Sequence, residues 1–431
     1  VSVTWKNWAK NQVAHPIAIS SPRTADEVSS IIRRAAEQGQ RVKSVGSGHS
    51  FTSTAVTDGQ MLTLKHFTGI VSVDRDRLEV TVGAGTALSD LNTMLDSLGL
   101  ALPNLGDIAY QTVAGAISTS THGTGITLTG LAGQVAGFTL VDGLGNVLRC
   151  SESENAELFA LGRVSVGALG VITEYRLRVV PAFRLRAVES AAPLNSVLDD
   201  IDTRVNDNDH FEFFWIPHTK WALTKTNNRT EDPLDPLPRV KGWIDKTFME
   251  NVAFGAVCRL GKMRPQWIPR LATALPSSGA RQYVDQSYKI FASPRLVRFY
   301  EMENAIPREA VAPALREIRS MIEKKNYLIN FPVEVRFTAP DDIALSTAYH
   351  RPSAYIAVHM YRGMEYENYF RDVENILKNY DARPHWGKLH FLEQERLQTL
   401  YPKFNDFLEL RHRLDPQRVF SNSYTQQIFG D

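Results

Sequence analysis

The sequence predicts an α+β protein of two domains. Over the first 180 residues short strands and helices mix irregularly, without the strict strand–helix repeat of a doubly wound sheet. Composition then shifts near Val180-Pro181. Beyond it, aromatic strands and amphipathic helices predict an antiparallel sheet backed by helices. At 431 residues the chain is also too long for one compact core.

The elements follow in order. Thr24 and Glu27 form a capping-box pair, and Val28, Ile31, Ile32 and Ala35 continue at helical spacing until Gly39. The run 40–45 reads as a strand that closes on Gly46-Ser47-Gly48-His49-Ser50. Met61-Leu62-Thr63-Leu64, Val71-Ser72-Val73 and Leu78-Glu79-Val80-Thr81-Val82 read as further strands, before a helix over about 88–98. A second small-residue segment runs over 113–125 (VAGAISTSTHGTG). A strand pair turns around Gly143-Leu144-Gly145-Asn146, and a third segment is Gly167-Ala168-Leu169-Gly170-Val171-Ile172. Past 180 come the strand Phe211-Glu212-Phe213-Phe214-Trp215-Ile216 and a proline-rich stretch at Pro233, Pro236 and Pro238. Helices are expected near 308–325 and 366–379, with strands 333–337 and 355–360 between them. The last forty or so residues are polar-helical.

Composition excludes several classes. Lys+Arg 48 against Asp+Glu 47 leaves a net charge of +1, so no general attraction to nucleic acid or membrane is implied. Cys150 and Cys258 make neither a disulfide framework nor a cysteine-rich metal site, so no metal is expected and a reducing, cytoplasmic compartment is. No apolar run is long enough to span a bilayer. The chain opens on Val1 rather than Met, which is compatible with a processed start.

The glycine segments carry the chemistry. Glycines at 46 and 48 let the backbone turn sharply and bring consecutive N–H groups onto an anion. Neither that turn nor Gly123-Thr124-Gly125 has the third glycine of GxGxxG, and no Gly-Lys-Ser/Thr occurs. A single Gly/Ser turn is commonplace. Three such segments, two of them with a histidine, point to a dinucleotide site of another design. A phosphate cradle needs no imidazole, so His49 is the residue to explain.

The motifs VGSGHSF with TDG, VAGAISTSTHGTG and SVGALGVIT resemble the FAD domain of vanillyl-alcohol-oxidase-type (PCMH-type) flavoproteins. Within these the chain is similar to the sugar-lactone branch: L-gulono-1,4-lactone oxidases and dehydrogenases, D-arabinono-lactone oxidases and alditol oxidases. The similarity continues through HFEFFWIP, PVEVRF, RPHWGK and LDPQRVFSN, and so covers the chain. It implies an FAD-binding domain at 1–180, an antiparallel-sheet cap (substrate) domain at 181–384, and a C-terminal segment at 385–431 that returns to the first. It gives His49 a covalent bond to the C8 methyl of FAD. Ser44, Gly46, Ser47, Gly48 and Ser50 would surround the pyrophosphate. Val113, Ala114, Gly115, Ser118, His122, Gly123 and Gly125 would complete the cradle, with Gly170 and Ile172 toward the adenosine. Gly106 and Asp107 would lie beside the flavin's reactive edge. A small residue at 106 is the oxidase pattern, and Asp107 departs from the Ser of alditol oxidases.

On the substrate side, period-two alternation puts Glu334 and Arg336 on one strand face. Alternation alone fits a solvated face equally well. The resemblance places the pair over the flavin, with Arg336 for charge and anchoring and Glu334 for orienting hydroxyls. It makes His359 an active-site histidine and brings Lys388 of His385-Trp386-Gly387-Lys388 into the site. Tyr361 stands where alditol oxidases carry Thr. His359, Glu334 and Lys388 all remain eligible as proton acceptor. The implied reaction is oxidation of an aldonolactone, with oxygen, a cytochrome or an artificial dye as acceptor. The alternatives are a peroxide-producing alditol or sugar oxidase acting on a polyol, and a non-catalytic flavin carrier.

Overall fold

The computed structural model describes residues 3–237, 254–274, 280–293 and 296–430. Pro238 of the proline-rich stretch lies outside these. The first helix, Ala25–Glu37, starts where its cap predicts, with Thr24 Oγ1 accepting the Glu27 N–H at 3.2 Å. The reciprocal half differs: the Glu27 carboxylate accepts the N–H of Arg23, one residue before the cap. Val28 and Ile32 are buried on its inner face.

Two small sheets form the N-terminal part. Ala18–Ser20, Gln60–Thr63 and Val42–Val45 make a parallel three-stranded sheet with Gln60–Thr63 central. An antiparallel five-stranded sheet runs Val147–Ser151, Val135–Val141, Val171–Arg178, Glu79–Gly83, Ile70–Asp74. The hairpin expected around Gly143–Asn146 joins its first two strands. The helix after Gly85 spans Leu88–Ser97.

The other large layer is an eight-stranded sheet in the order Ala280–Gln286, Arg184–Pro193, Trp221–Thr230, His210–Trp215, Val333–Thr338, Ser353–Tyr361, Phe299–Pro307, Arg383–Pro384. Every pairing within it is antiparallel. Helices Val311–Lys325 and Glu367–Leu377 cover one face and bury Leu315, Ile318, Phe370 and Val373 against Val333, Val335 and Phe337. At about 25 cal/mol per Å² of apolar surface removed from water, such side chains each contribute roughly 1.5–3 kcal/mol. The opposite face of those strands holds the polar residues and turns toward the glycine segments. The chain end crosses back: Trp386, Leu397, Phe407 and Phe429 are packed into the N-terminal core with Val28, Leu62 and Leu140.

Candidate active site

Two cavities meet at His49. A groove is lined by Ser44, Gly46, Ser47, Gly48, Ser50, Ala114, Gly115, Ser118, Gly170 and Ile172. A second cavity lies between this groove and the polar face of the large sheet, lined by Gly106, Asp107, His122, Glu301, Glu303, Glu334, Arg336, His359, His385 and Lys388. His49 and Ser50 line both.

The groove is built by close approach. A Cβ on Gly46 would stand 2.3 Å from Thr112 Oγ1, and one on Gly170 would stand 2.4 Å from the carbonyl oxygen of Val141. Gly48 turns with φ +70°, which admits glycine most easily. Among the described residues, the amides of Ser47, Gly48, His49 and Ser50 donate to no protein acceptor. Four successive unpartnered donors at a strand end form an anion nest. The His49 ring stacks at 5.5 Å on Trp8 and at 6.3 Å on Tyr110. Burial, with the nearby Lys388 charge, pushes its imidazole down to about 4, so it is neutral and keeps a free nitrogen lone pair near neutral pH.

The substrate-side cavity is organised by register. In the sheet Glu334 lies opposite Ala357, and Glu301 lies opposite His359. Glu301 and Glu303 thus share the face of Glu334, Arg336 and His359. Arg336 is surrounded by carboxylates: Asp107 at 2.5 Å, Glu212 at 2.8 Å, and Glu334. Burial opposes its charge, but these anions outweigh that and raise it well above the ordinary guanidinium value. Burial also pushes the Glu334 carboxyl up. Arg336 resists the rise while Asp107 and Glu212 reinforce it, and the result is about 7.

A second cluster centres on Glu301. It pairs with Lys388 Nζ and lies 3.5 Å from His359 Nε2. His359 Nδ1 donates to the Pro332 carbonyl at 2.9 Å, which fixes the ring. Burial would raise Glu301, yet Lys388 and His359 hold it at about 2. Lys388 is delivered by a tight turn. Gly387 donates its N–H to His385 Nδ1 at 3.0 Å and accepts the N–H of Phe51 at 2.7 Å. A Cβ there would stand 3.1 Å from Ser50 Oγ, so glycine keeps Lys388 against the His49 turn. Trp386 is fully buried and donates to Leu345 O at 2.7 Å, anchoring the motif.

A third cluster joins His122, Glu303 and His385, whose donor atoms lie within 4.8 Å of one another. Its bonding is met internally: His122 Nδ1 donates to Gly123 O at 2.9 Å and Nε2 faces Glu303 at 3.2 Å. His385 Nδ1 already accepts the Gly387 amide, and burial pushes its imidazole down to about 3. The trio Asp107, Glu212, Glu334 likewise encloses Arg336 rather than an open space.

Comparison with known proteins accords with this geometry. The family model for D-arabinono-1,4-lactone oxidase matches residues 175–428, and that for an FAD binding domain matches 16–151. The chain belongs to the D-arabinono-1,4-lactone oxidase family. As a member it is a vanillyl-alcohol-oxidase-type FAD flavoprotein and an oxidoreductase. It is 42% identical over 433 residues to a protein named L-gulono-1,4-lactone dehydrogenase from Mycobacterium tuberculosis, covering 100% of both chains. It is 35% identical to L-gulonolactone oxidase of Mus musculus, over 99% of this chain and 98% of the other. Cholesterol oxidase from B. sterolicum shares the fold at a TM-score of 0.86 and 17% identity, over 99% of this chain and 97% of that one.

The donor set fits the family's FAD: an anion nest and hydroxyls lie in the groove, and a neutral imidazole stands where it joins the substrate cavity. The structure divides the expected cradle, however. Val113 is packed in the core and its amide donates to Thr86 O, so it does not face the groove. His122 lies in the substrate cavity, with its ring stacked at 3.5 Å on Tyr355. Gly123 is pressed against the Leu105 carbonyl and Asn104, and Gly125 bridges to Thr338 of the large sheet. The helix Val113–Ser118 explains the split: it carries Ala114, Gly115 and Ser118 along the groove and turns the following residues toward the other cavity. Tyr361 does not line the cavity and packs with Phe299 and Phe331, so its departure from Thr carries little weight for substrate choice.

Sequence reasoning missed Glu212, Glu301 and Glu303, and also Lys225, whose Nζ lies 3.3 Å from the Glu212 carboxylate. The signal was present in Tyr300-Glu301-Met302-Glu303-Asn304, where acids alternate with an apolar residue inside a strand. A buried strand carries such acids only when they are paired.

Proposed function

We propose that this protein oxidises an aldonolactone of the L-gulono-1,4-lactone type, using FAD held in the groove and bonded through His49. The observation that carries the reading is the junction at His49, where an anion nest meets a cavity containing two carboxylate-held cations, Arg336 and Lys388. The bound flavin would supply the acceptor for a hydride from the carbon bearing the hydroxyl. Arg336 and Lys388 hold the oxygens of a compact, uncharged, polyhydroxylated substrate and favour negative charge developing beside them.

Glu334 takes the hydroxyl proton in this reading. Its carboxyl sits near 7, so it can accept a proton at neutral pH and release it afterwards. Lys388 is paired as an ammonium, and Nε2 of His359 faces the ionised Glu301, which leaves both less suited to the task. Loss of the C2 hydride and the hydroxyl proton gives a 2-keto lactone, which tautomerises to an enediol of the ascorbate type.

Oxygen or another acceptor would take up the electrons, and Gly106 on the cavity wall favours access by oxygen. Residues 1–180 and 385–431 form the cofactor half in this reading and 181–384 the cap, which the packing of Trp386 and Phe429 into the N-terminal core supports. Among the described residues no helix is long and apolar enough to cross a membrane. Cys150 and Cys258 are free and buried, which supports a reducing, cytoplasmic setting.

The alditol-oxidase reading is disfavoured by Asp107, an anion held on Arg336 where that branch has Ser. Turnover of L-gulono-1,4-lactone, xylitol and sorbitol with a dye acceptor tests the choice. A kcat/KM favouring either polyol over the lactone refutes the proposal. Peroxide release compared with dye reduction on the same substrate identifies the acceptor.

A further inference from the structure

Five neighbouring strands of the large sheet carry one row of charges that alternate in sign. Arg281 lies directly opposite Glu189, Glu189 opposite Lys225, and Lys225 opposite Glu212. In the next pairing Phe213 lies opposite Val335, which brings Glu212 beside Arg336. Opposed residues share a sheet face, so the row runs on one face from the edge strand Ala280–Gln286 to the catalytic cavity. Beyond Arg336 the next strand offers Tyr355, and the alternation stops. The contacts follow the row. Arg281 Nε donates to Glu189 Oε2 at 2.7 Å, and Tyr283 Oη donates to Glu189 Oε1 at 3.2 Å. Lys225 Nζ stands 3.3 Å from Glu212 Oε1, and Arg336 Nε donates to Oε2 of the same carboxylate at 2.8 Å.

Strand pairing alone accounts for an isolated cross-strand ion pair. It does not account for an unbroken row, because charges this buried hold a sheet together no better than apolar side chains of similar size. The Lys225 side chain is only 16% exposed and that of Glu212 only 4%. Burial opposes the ammonium; Glu212, with Asp107, Tyr283 and Glu189, outweighs it and raises the group. Neither Lys225 nor Glu212 lines the catalytic cavity, whereas Arg336, Asp107 and Glu334 do. The two act from behind. Each oxygen of Glu212 has its own cation, so the carboxylate is fixed between them and in turn fixes Nε of Arg336. The Nη2 end of the fork is left to Asp107 and Glu334 on the cavity side. Without Lys225, Arg336 alone would answer Asp107, Glu212 and Glu334. We infer that Lys225 is a positioning residue for the oxidation: it balances Glu212, so that Arg336 keeps its orientation and its charge for the substrate. The inference rests on the role proposed above for Arg336.

The test uses the FAD-loaded chain on whichever of L-gulono-1,4-lactone, xylitol and sorbitol the parent protein oxidises. Lys225→Met should lower kcat about tenfold or more, with flavin per protein and circular dichroism unchanged. The loss should fall on kcat rather than KM, because charge develops beside Arg336 only in the transition state. A site merely loosened would raise KM as well. Adding Glu212→Gln removes the uncompensated anion, and its amide oxygen still accepts from Arg336 Nε, so the double variant should regain most of the kcat. The thermal midpoint reads the same pair without turnover: the double variant should melt above Lys225→Met. Lys225→Met with the parent's kcat, a loss that Glu212→Gln does not relieve, or a double variant melting no higher than Lys225→Met overturns the proposal. Arg336→Ala is the control. If it is impaired and Lys225→Met is not, this inference alone fails; if Arg336→Ala is fully active, the role of Arg336 fails and the inference with it.

Discussion

Arg336 and Asp107 meet across the two halves of the molecule, with Nη2 2.5 Å from Oδ1. Arg336 belongs to the centre of the large sheet, whereas Asp107 comes from the loop before the Val113–Ser118 helix. The pair therefore ties the polar face of the large sheet to the loop that leads into the groove helix. Asp107 also helps to raise the Glu334 carboxyl. If Glu334 accepts the substrate proton, activity rises with pH as it ionises near 7. Asp107→Asn removes one negative charge beside it, so the Glu334 value falls and the ascending limb of kcat/KM should move to lower pH. An unmoved limb would show that Glu334 is not the titrating group.

Arg336 itself should be indispensable to turnover and dispensable to flavin binding. Arg336→Ala removes the charge and leaves three carboxylates facing one another, so a loss of about 10²–10³ in kcat is expected, together with lowered stability. Arg336→Lys separates the two effects: it keeps the charge and most of the fold but loses the fork, so it should raise KM strongly. Flavin absorbance per protein should be unchanged in both. An active Arg336→Ala would remove the residue from the site.

Glu301 is expected to govern its neighbours rather than bind the cofactor. Glu301→Gln is nearly isosteric but withdraws the anion shared by Lys388 and His359. Both side chains then lose the partner that holds them against the cavity. kcat should therefore fall about tenfold or more with flavin content per protein unchanged. An unchanged kcat would mean that Glu301 does not position them.

The fold was legible where periodicity and caps agree. The helix after Thr24 and the central strand 333–338 follow directly from spacing. The substrate site was legible only in part, because strand alternation says which residues share a face but not what faces them. Glu334 and Arg336 could equally have been solvated. What decides is the antiparallel register that sets Glu301 beside His359, over a long sequence separation that no local pattern records. The cradle was misread for a related reason. In 113–125 one small-residue run serves two cavities, and composition cannot mark the point at which the helix ends and the chain changes sides.

Stability should be acid-sensitive well above the carboxylate range. Burial lowers His49 and His390 to about 4 and His385 to about 3, against 6.5 for the exposed ring. The folded pKa is depressed, so the unfolded state binds these protons first. The stabilisation is complete above about 6.5 and is lost progressively as pH falls toward the folded values. Shifts of this size correspond to roughly 3–5 kcal/mol per ring. His390 is remote from the chemistry and bonds Tyr424 Oη at 2.8 Å. His390→Gln should flatten the fall of Tm between pH 6.5 and 4.5, at some cost in Tm at pH 7. A fall as steep as in the parent protein would assign the acid sensitivity elsewhere.

His49 decides whether the flavin is bonded or merely bound. Its imidazole is neutral, stacked on Trp8, and stands where the anion nest opens into the substrate cavity. A neutral ring nitrogen is what alkylation by an activated methyl group requires, and the nearby Lys388 charge helps to keep it deprotonated. Acid-precipitated protein should therefore stay yellow after washing. His49→Ala should release the colour on precipitation while still binding flavin in the folded state through the amides of residues 47–50. Lys388→Met should raise the His49 value and slow attachment at mildly acidic pH, measured as the fraction of flavin retained after precipitation. Colour that washes freely from the parent protein would refute the bond and leave the nest as the cofactor's only anchor.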